Sequence, residues 1–329
     1  MVSTSAPVDG ANSGIAEVMF VNMALPLMCA PMSFASSVPL AVACCDAGVI
    51  GGWQGGTYTP FDEFERYLDA LDGSHRAPPI VNLPARIAGE ATGEAKLALL
   101  ERHRAPLVLS SLGDPSRLVE RVHGWGGRVV QDVTTLRHAE KAVASGVDGL
   151  MLTCAGAGGH TGFITPMAFV PAVRRIWPGL LIVAGGIADV RGIAGALALG
   201  GDIACMGTRF IATPESGVVE GHRAMIPGVG IDRIVTSAAM NGMPANWIRD
   251  SLEQAGLDVD GLPDHRTAMP EGVRPWRDLY SAGQSVGLID RVEPVAELVA
   301  RLAEEFAALC PDSRWRERIA TIEAEWSRS

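Results

Sequence analysis

The chain has 329 residues, 48% of them hydrophobic, enough for one α/β barrel around a single core with an appendage. Its 27 basic and 37 acidic residues leave a net charge of −10 with no basic cluster, which argues against nucleic acid as a partner. There is no run of about eighteen apolar residues to cross a membrane, and the polar start Met1–Asn12 lacks the pattern of a secretory signal, so a cytoplasmic location is expected.

From Pro26 to about Phe210, short β-branched or apolar runs alternate with stretches of helical period. The predicted strands are Leu27–Ala30, Val49–Gly51, Pro79–Leu83, Leu107–Ser110, Arg128–Gln131, Gly149–Thr153, Leu180–Ala184 and Ile203–Met206. Between them the helical pattern covers Val38–Ala47, Phe61–Leu71, Glu94–His103, Pro115–His123, Leu136–Ser145, Met167–Ile176 and Val190–Leu199, several of these opened by Ser, Thr, Asp or Pro. Eight strands, each followed by a helix, predict a closed (β/α)8 TIM barrel over residues 1–216. After Thr213 the rhythm breaks. Residues 217–287 read as a mostly helical segment over the barrel mouth, with Ala245–Ala255 as one helical piece, and 288–329 as helices returning to the barrel.

In such a barrel, chemistry collects where strands end. The seventh strand runs into Ala184-Gly185-Gly186-Ile187-Ala188-Asp189 and the eighth into Met206-Gly207-Thr208-Arg209. Glycine lets backbone N–H groups approach a ligand, and barrels often seat a phosphate on these two loops. The sixth strand ends in a loop of small residues, Cys154-Ala155-Gly156-Ala157-Gly158-Gly159, followed by His160, an imidazole able to move a proton at a carbon acid. Cys29-Ala30-Pro31-Met32 after the first strand suits the face of a flat heterocycle, and Asn82 in the third offers donors and an acceptor to a ring edge. Gln131 and Asp132 supply a further polar pair at the fifth. The six cysteines (29, 44, 45, 154, 205 and 310) lie mostly in apolar runs without metal-binding spacing, so no metal site is expected. Trp247, Trp276 and Tyr280 either line a pocket or pack the added segment, with packing favoured.

Taken together, Ala30-Pro31-Met32, Ala157-Gly158-Gly159-His160-Thr161-Gly162, Ala184-Gly185-Gly186-Ile187-Ala188-Asp189, Ala196-Leu197-Ala198-Leu199-Gly200 and Met206-Gly207-Thr208-Arg209-Phe210 resemble the nitronate monooxygenase family. Ser281-Ala282-Gly283-Gln284-Ser285-Val286-Gly287 is similar to that family's C-terminal signature. The resemblance implies FMN held by Gly185, Gly186, Gly207 and Thr208 at the phosphate, with Ala30, Pro31, Met32, Asn82, Gln131, Asp132, Gly158, Gly159, Ala184, Met206 and Gln284 around the rest. It implies His160 as the catalytic histidine and a small-molecule substrate, a nitronate or nitroalkane oxidised with dioxygen. Relatives on the same scaffold use NAD(P)H to reduce quinones or enoyl compounds, which is the second reading. A third makes Cys154 the nucleophile of a barrel without flavin.

Two features depart from the family pattern. Asp132 stands where many relatives carry Gln or Lys, and a carboxylate there disfavours an anionic reduced flavin unless it is protonated, paired or turned away. No Glu precedes the Gly-Gly-His turn, which favours the reductase reading. A homodimer is the expected assembly on base rates.

Overall fold

The computed structural model describes residues 19–56, 59–73, 75–87, 89–312 and 314–328. The polar start at Met1–Asn12 lies outside them. Eight parallel strands close a barrel: β1 (Leu27–Cys29), β2 (Ile50–Trp53), β3 (Pro79–Pro84), β4 (Leu107–Ser111), β5 (Arg128–Val133), β6 (Gly149–Thr153), β8 (Leu180–Ala184) and β9 (Ile203–Met206). The last strand pairs back onto the first, with Met28 opposite Cys205. A two-residue strand, β7 (Gly159–His160), lies outside the ring.

Helices α1 (Val38–Ala47), α2 (Phe61–Leu71), α3 (Ala91–Arg102), α4 (Ser116–Gly124), α5 (Leu136–Ala144), α6 (Pro166–Arg174) and α7 (Val190–Ala198) fill the crossovers. Local chemistry sets their starts. Ser37 accepts from the Leu40 N–H, Thr135 from the His138 N–H and Asp189 from the Gly192 N–H, each satisfying a donor that the helix leaves open. The Asp of the Gly-Gly-Ile-Ala-Asp motif is therefore a helix cap.

Alternation along the strands sorts the side chains into two cores. Met28, Ile50, Ile80, Leu107, Leu109, Val130, Met151, Leu180, Ile182, Ile203 and Cys205 fill the lumen. Their neighbours, among them Val81, Val108, Val129, Leu152, Val183 and Met206, meet the helices outside. Continued by one step toward the strand ends, the lumen set reaches Ala30, Gly52, Asn82, Ser111, Asp132, Thr153 and Ala184. These form the floor of the barrel mouth.

After β9 and the short helix α8 (Thr208–Ile211) comes the added segment, with α9 (Glu220–Met225), β10 (Ile234–Ser237), β11 (Ala245–Ile248) and α10 (Arg249–Gln254). The helical piece expected over Ala245–Ala255 is thus a strand followed by a helix. Its first four residues pair with β10 on one side and β7 on the other, a long-range pairing that no local periodicity announces. Helix α11 (Val295–Leu309) packs against α1 and α7 and supplies the eighth helix of the ring. Helix α12 (Arg314–Trp326) crosses the other end, where Ile319 and Ile322 join Phe20 in the lumen core.

Candidate active site

The mouth is built on backbone contacts that only small residues permit. At β2, a Cβ on Gly52 would lie 2.2 Å from the Cys29 carbonyl oxygen and 2.6 Å from the Pro31 nitrogen, so this glycine makes room for the Ala30-Pro31 turn. Ala30 donates its N–H to the Met206 carbonyl at 2.9 Å, and Met32 lies over Gly207. The β1 and β9 loops are thereby one surface. Beyond β2, the buried Lys96 ammonium on α3 donates to the carbonyls of Gly55, Gly56 and Thr59 at 3.1, 2.9 and 2.7 Å, tying down that loop with all three of its protons.

At the end of β8, Gly185 and Gly186 take positive φ, 125° and 73°, which a side chain would strain. A Cβ on Gly186 would meet nothing within 4 Å, so that face of the loop is open. Among the described residues no carbonyl accepts from the N–H groups of Gly186 or Gly207. Thr208 Oγ1 accepts from the Gly283 N–H at 2.8 Å, which leaves its own hydroxyl proton to donate. Open glycine N–H groups and a free hydroxyl proton fit a phosphate. Arg209, despite its place in the motif, is buried in an ion pair with Glu293 and also donates to the Arg291 carbonyl.

The loop carrying His160 is sewn to the C-terminal signature. Gln284 donates its N–H to the Gly156 carbonyl at 2.9 Å, and the Gly159 N–H donates to Ser281 Oγ at 2.7 Å. Ser281 donates in turn to the Asn246 carbonyl, and Asn246 Nδ2 to the Ala157 carbonyl, each at 2.7 Å. Gly158 and Gly283 pass so closely that a Cβ on Gly283 would lie 2.6 Å from the Gly156 oxygen and 2.8 Å from the Gly158 nitrogen. These contacts hold His160 at the rim, paired with Ala245 across β7 and β11.

His160 stands exposed on one side and edge-on to Trp276 on the other, at 5.3 Å between ring centres and 78° between planes. Trp276 leans on Trp247 and holds a positive φ of 72°, rare for a bulky residue. These walls partly desolvate the imidazole and lower its pKa from the ordinary value. On the floor, Asp132 accepts the Thr153 hydroxyl at 2.6 Å, and burial pushes its carboxyl up to about 6 against the downward pull of that bond. Asn82 Nδ2 donates to the Leu109 carbonyl and Ser111 Oγ.

Of the sequence-predicted residues, Ala30, Pro31, Met32, Asn82, Asp132, Gly158, Gly159, His160, Ala184, Gly185, Gly186, Gly207, Thr208 and Gln284 come together on this face. Two side chains do not. Gln131 shares the parity of Val129 and Val133, so it faces the helix layer, where its Oε1 is buried without a partner. Met206 likewise packs outward and offers the mouth only its backbone. Cys154, the proposed nucleophile of the third reading, is fully buried in the outer core, and burial pushes its thiol up to about 12, which leaves it inert. Asn241, Asn246 and Thr153 also stand here and were not foreseen. Trp276, weighed as pocket lining or as packing, does both, and Ser281 was marked only as part of the C-terminal signature. No group of three or more His, Cys, Asp or Glu among the described residues is placed to hold a metal, and no described helix is long and apolar enough to cross a membrane.

The nitronate monooxygenase family model matches residues 69–305. The chain belongs to the nitronate monooxygenase family. It is therefore an FMN-dependent oxidoreductase, built as a TIM barrel. A nitronate monooxygenase of Paraburkholderia phytofirmans is 27% identical over 92% of this chain and 93% of its own length. Rv1533 of Mycobacterium tuberculosis, whose name describes a monooxygenase, is 32% identical over 62% of this chain, and that match spans 60% of the relative. Among solved structures, the nitroalkane oxidase of Streptomyces ansochromogenes superposes with a TM-score of 0.73 at 26% identity, over 86% of this chain and 96% of that one.

Proposed function

We propose that the protein oxidises a nitronate, or the nitroalkane from which it forms, with dioxygen, using His160 as the base. The observation that carries this reading is the His160 imidazole at the rim of the barrel face that also bears the glycine loops of β8 and β9, edge-on to Trp276 and with its pKa lowered by burial. Gly185, Gly186, Gly207 and Thr208 would hold the FMN phosphate through N–H groups and one hydroxyl, and the Ala30-Pro31-Met32 turn, Asn82, Asp132, Ala184, Gly158, Gly159 and Gln284 would surround the remainder. FMN bound there would supply the redox chemistry between the substrate and dioxygen.

The residues do the rest. A neutral imidazole accepts the proton from the carbon next to the nitro group, and its lowered pKa keeps it unprotonated at neutral pH. Trp276, backed by the buried Trp247, sets apolar surface beside the imidazole. Asp132, its carboxyl pushed up to about 6 by burial, is still largely ionised at neutral pH but takes up a proton more readily than an ordinary carboxylate, and any further negative charge placed near it would favour that protonation.

Anaerobic mixing of the flavin-loaded protein separates this reading from an NAD(P)H-dependent reductase. Bleaching of the flavin by a nitronate and not by NADPH is expected, and the opposite pattern would replace the monooxygenase with the reductase. His160→Asn should bind flavin normally and lose about 10²–10⁴-fold in turnover of a neutral nitroalkane. Turnover at the original rate removes His160 from the mechanism.

A further inference from the structure

Asn241 lies in the turn ahead of β11, and its amide is pinned at both ends. Its Oδ1 accepts the Met243 N–H at 3.0 Å, so its Nδ2 is the atom that faces His160 Nε2, also at 3.0 Å. A backbone N–H has only a proton to offer, and this fixes the amide's orientation. An amide nitrogen is a donor only. Nε2 must then present its lone pair, and the proton of the neutral ring must reside on Nδ1.

We infer that Asn241 is a positioning residue that holds His160 as its neutral Nδ1–H tautomer. Protonation of Nε2 would set an N–H against an N–H, so the same contact that selects the tautomer opposes the imidazolium. For His160 to take a proton from a carbon acid at Nε2, the amide must first withdraw its Nδ2–H from that lone pair, and once the ring is charged it must turn to offer Oδ1, releasing Met243. Asn241 thus couples the protonation state of the base to the turn that carries β11. Among the described residues no carboxylate or cationic side chain bonds the ring. The ring meets the Asn241 amide and Trp276, and Arg266 of the neighbouring segment packs by Gly242 instead.

The functional consequence rests on reading His160 as the base, but the tautomer itself is measured separately. Two-dimensional ¹H–¹⁵N spectra of the imidazole rings in the flavin-loaded protein, with His160 assigned by its loss in His160→Asn, report which nitrogen bears the proton. Wild type should show Nδ1 protonated and Nε2 bare. Asn241→Ala should shift the ring toward Nε2–H. Asn241→Asp, which keeps an acceptor for Met243 and turns the facing atom into a carboxylate oxygen, should give Nε2–H and move the His160 titration upward by about one to two pH units. A wild-type ring protonated at Nε2, or an Nδ1–H ring that persists in both variants, overturns the inference. Undiminished turnover by His160→Asn would instead overturn the assigned base and leave the tautomer result standing.

Discussion

At the scale of single residues, Asp132 shows how far identity alone leads. The sequence marks it as a departure whose carboxylate must be protonated, paired or turned away. The structure gives it a lumen-facing position with one hydroxyl donor and a pKa raised to about 6. A carboxyl whose folded pKa exceeds its unfolded one stabilises the fold below the unfolded value, near 4, and loses that contribution as pH rises through about 6. Asp132→Asn should therefore raise the stability of the flavin-free protein at pH 7–8, by at most about 3 kcal/mol, with the gain vanishing near pH 4. Thermal unfolding across pH is the measurement, and a gain that does not depend on pH would refute the argument. The histidine was legible because its glycine-rich setting left one titratable group. Asn241 was not, because a lone asparagine in a turn has no pattern until the fold sets it against an imidazole.

At the scale of elements, all eight barrel strands were readable from alternation and punctuation, three of them to the residue and the others to within one or two residues at an end. The strand that seats His160 was not. Ala245–Ile248 is a strand by virtue of pairing with β10 and β7, and four residues of Ala-Asn-Trp-Ile carry no period of their own. Gln131 was misplaced for a related reason: adjacent strand residues point to opposite faces, and a polar pair cannot supply two lumen contacts. The seam between the His160 loop and the C-terminal signature depends on two glycine backbones in contact. Gly283→Ala should force that seam apart, lowering stability by about 1–3 kcal/mol and activity more than proportionally, because the imidazole moves with the loop. Flavin affinity should fall as well, since Gly283 donates its N–H to Thr208 Oγ1 beside the glycine loops. A variant with wild-type melting and turnover would show that the seam yields without effect.

For the whole molecule, the two ends of the barrel serve different purposes. The mouth carries the site, and the opposite end is sealed by α12 with Phe20, whose N–H donates to Glu323 at 2.8 Å. Arg318 joins the same helix to Asp202, and Arg316 ties it to the Met23 carbonyl. Removing residues 311–329 should expose the lower lumen, reduce the melting temperature by several degrees and promote aggregation, while the bound flavin's spectrum stays that of the full chain. Loss of the flavin signature on truncation would tie α12 to the mouth. The sequence pattern foretold helices returning to the barrel, and α11 does complete the ring. It did not say that the next helix would be a plug, since amphipathic period names a buried face without naming what it meets.

The small sheet of β7, β11 and β10 also makes the two halves of the site unequal in what holds them. The glycine loops follow neighbouring barrel strands, whereas the seat of the imidazole is tied through Gly159 to Ser281, 122 positions along the chain. Changes in the added segment therefore reach the imidazole through its seat and not through the ring of strands.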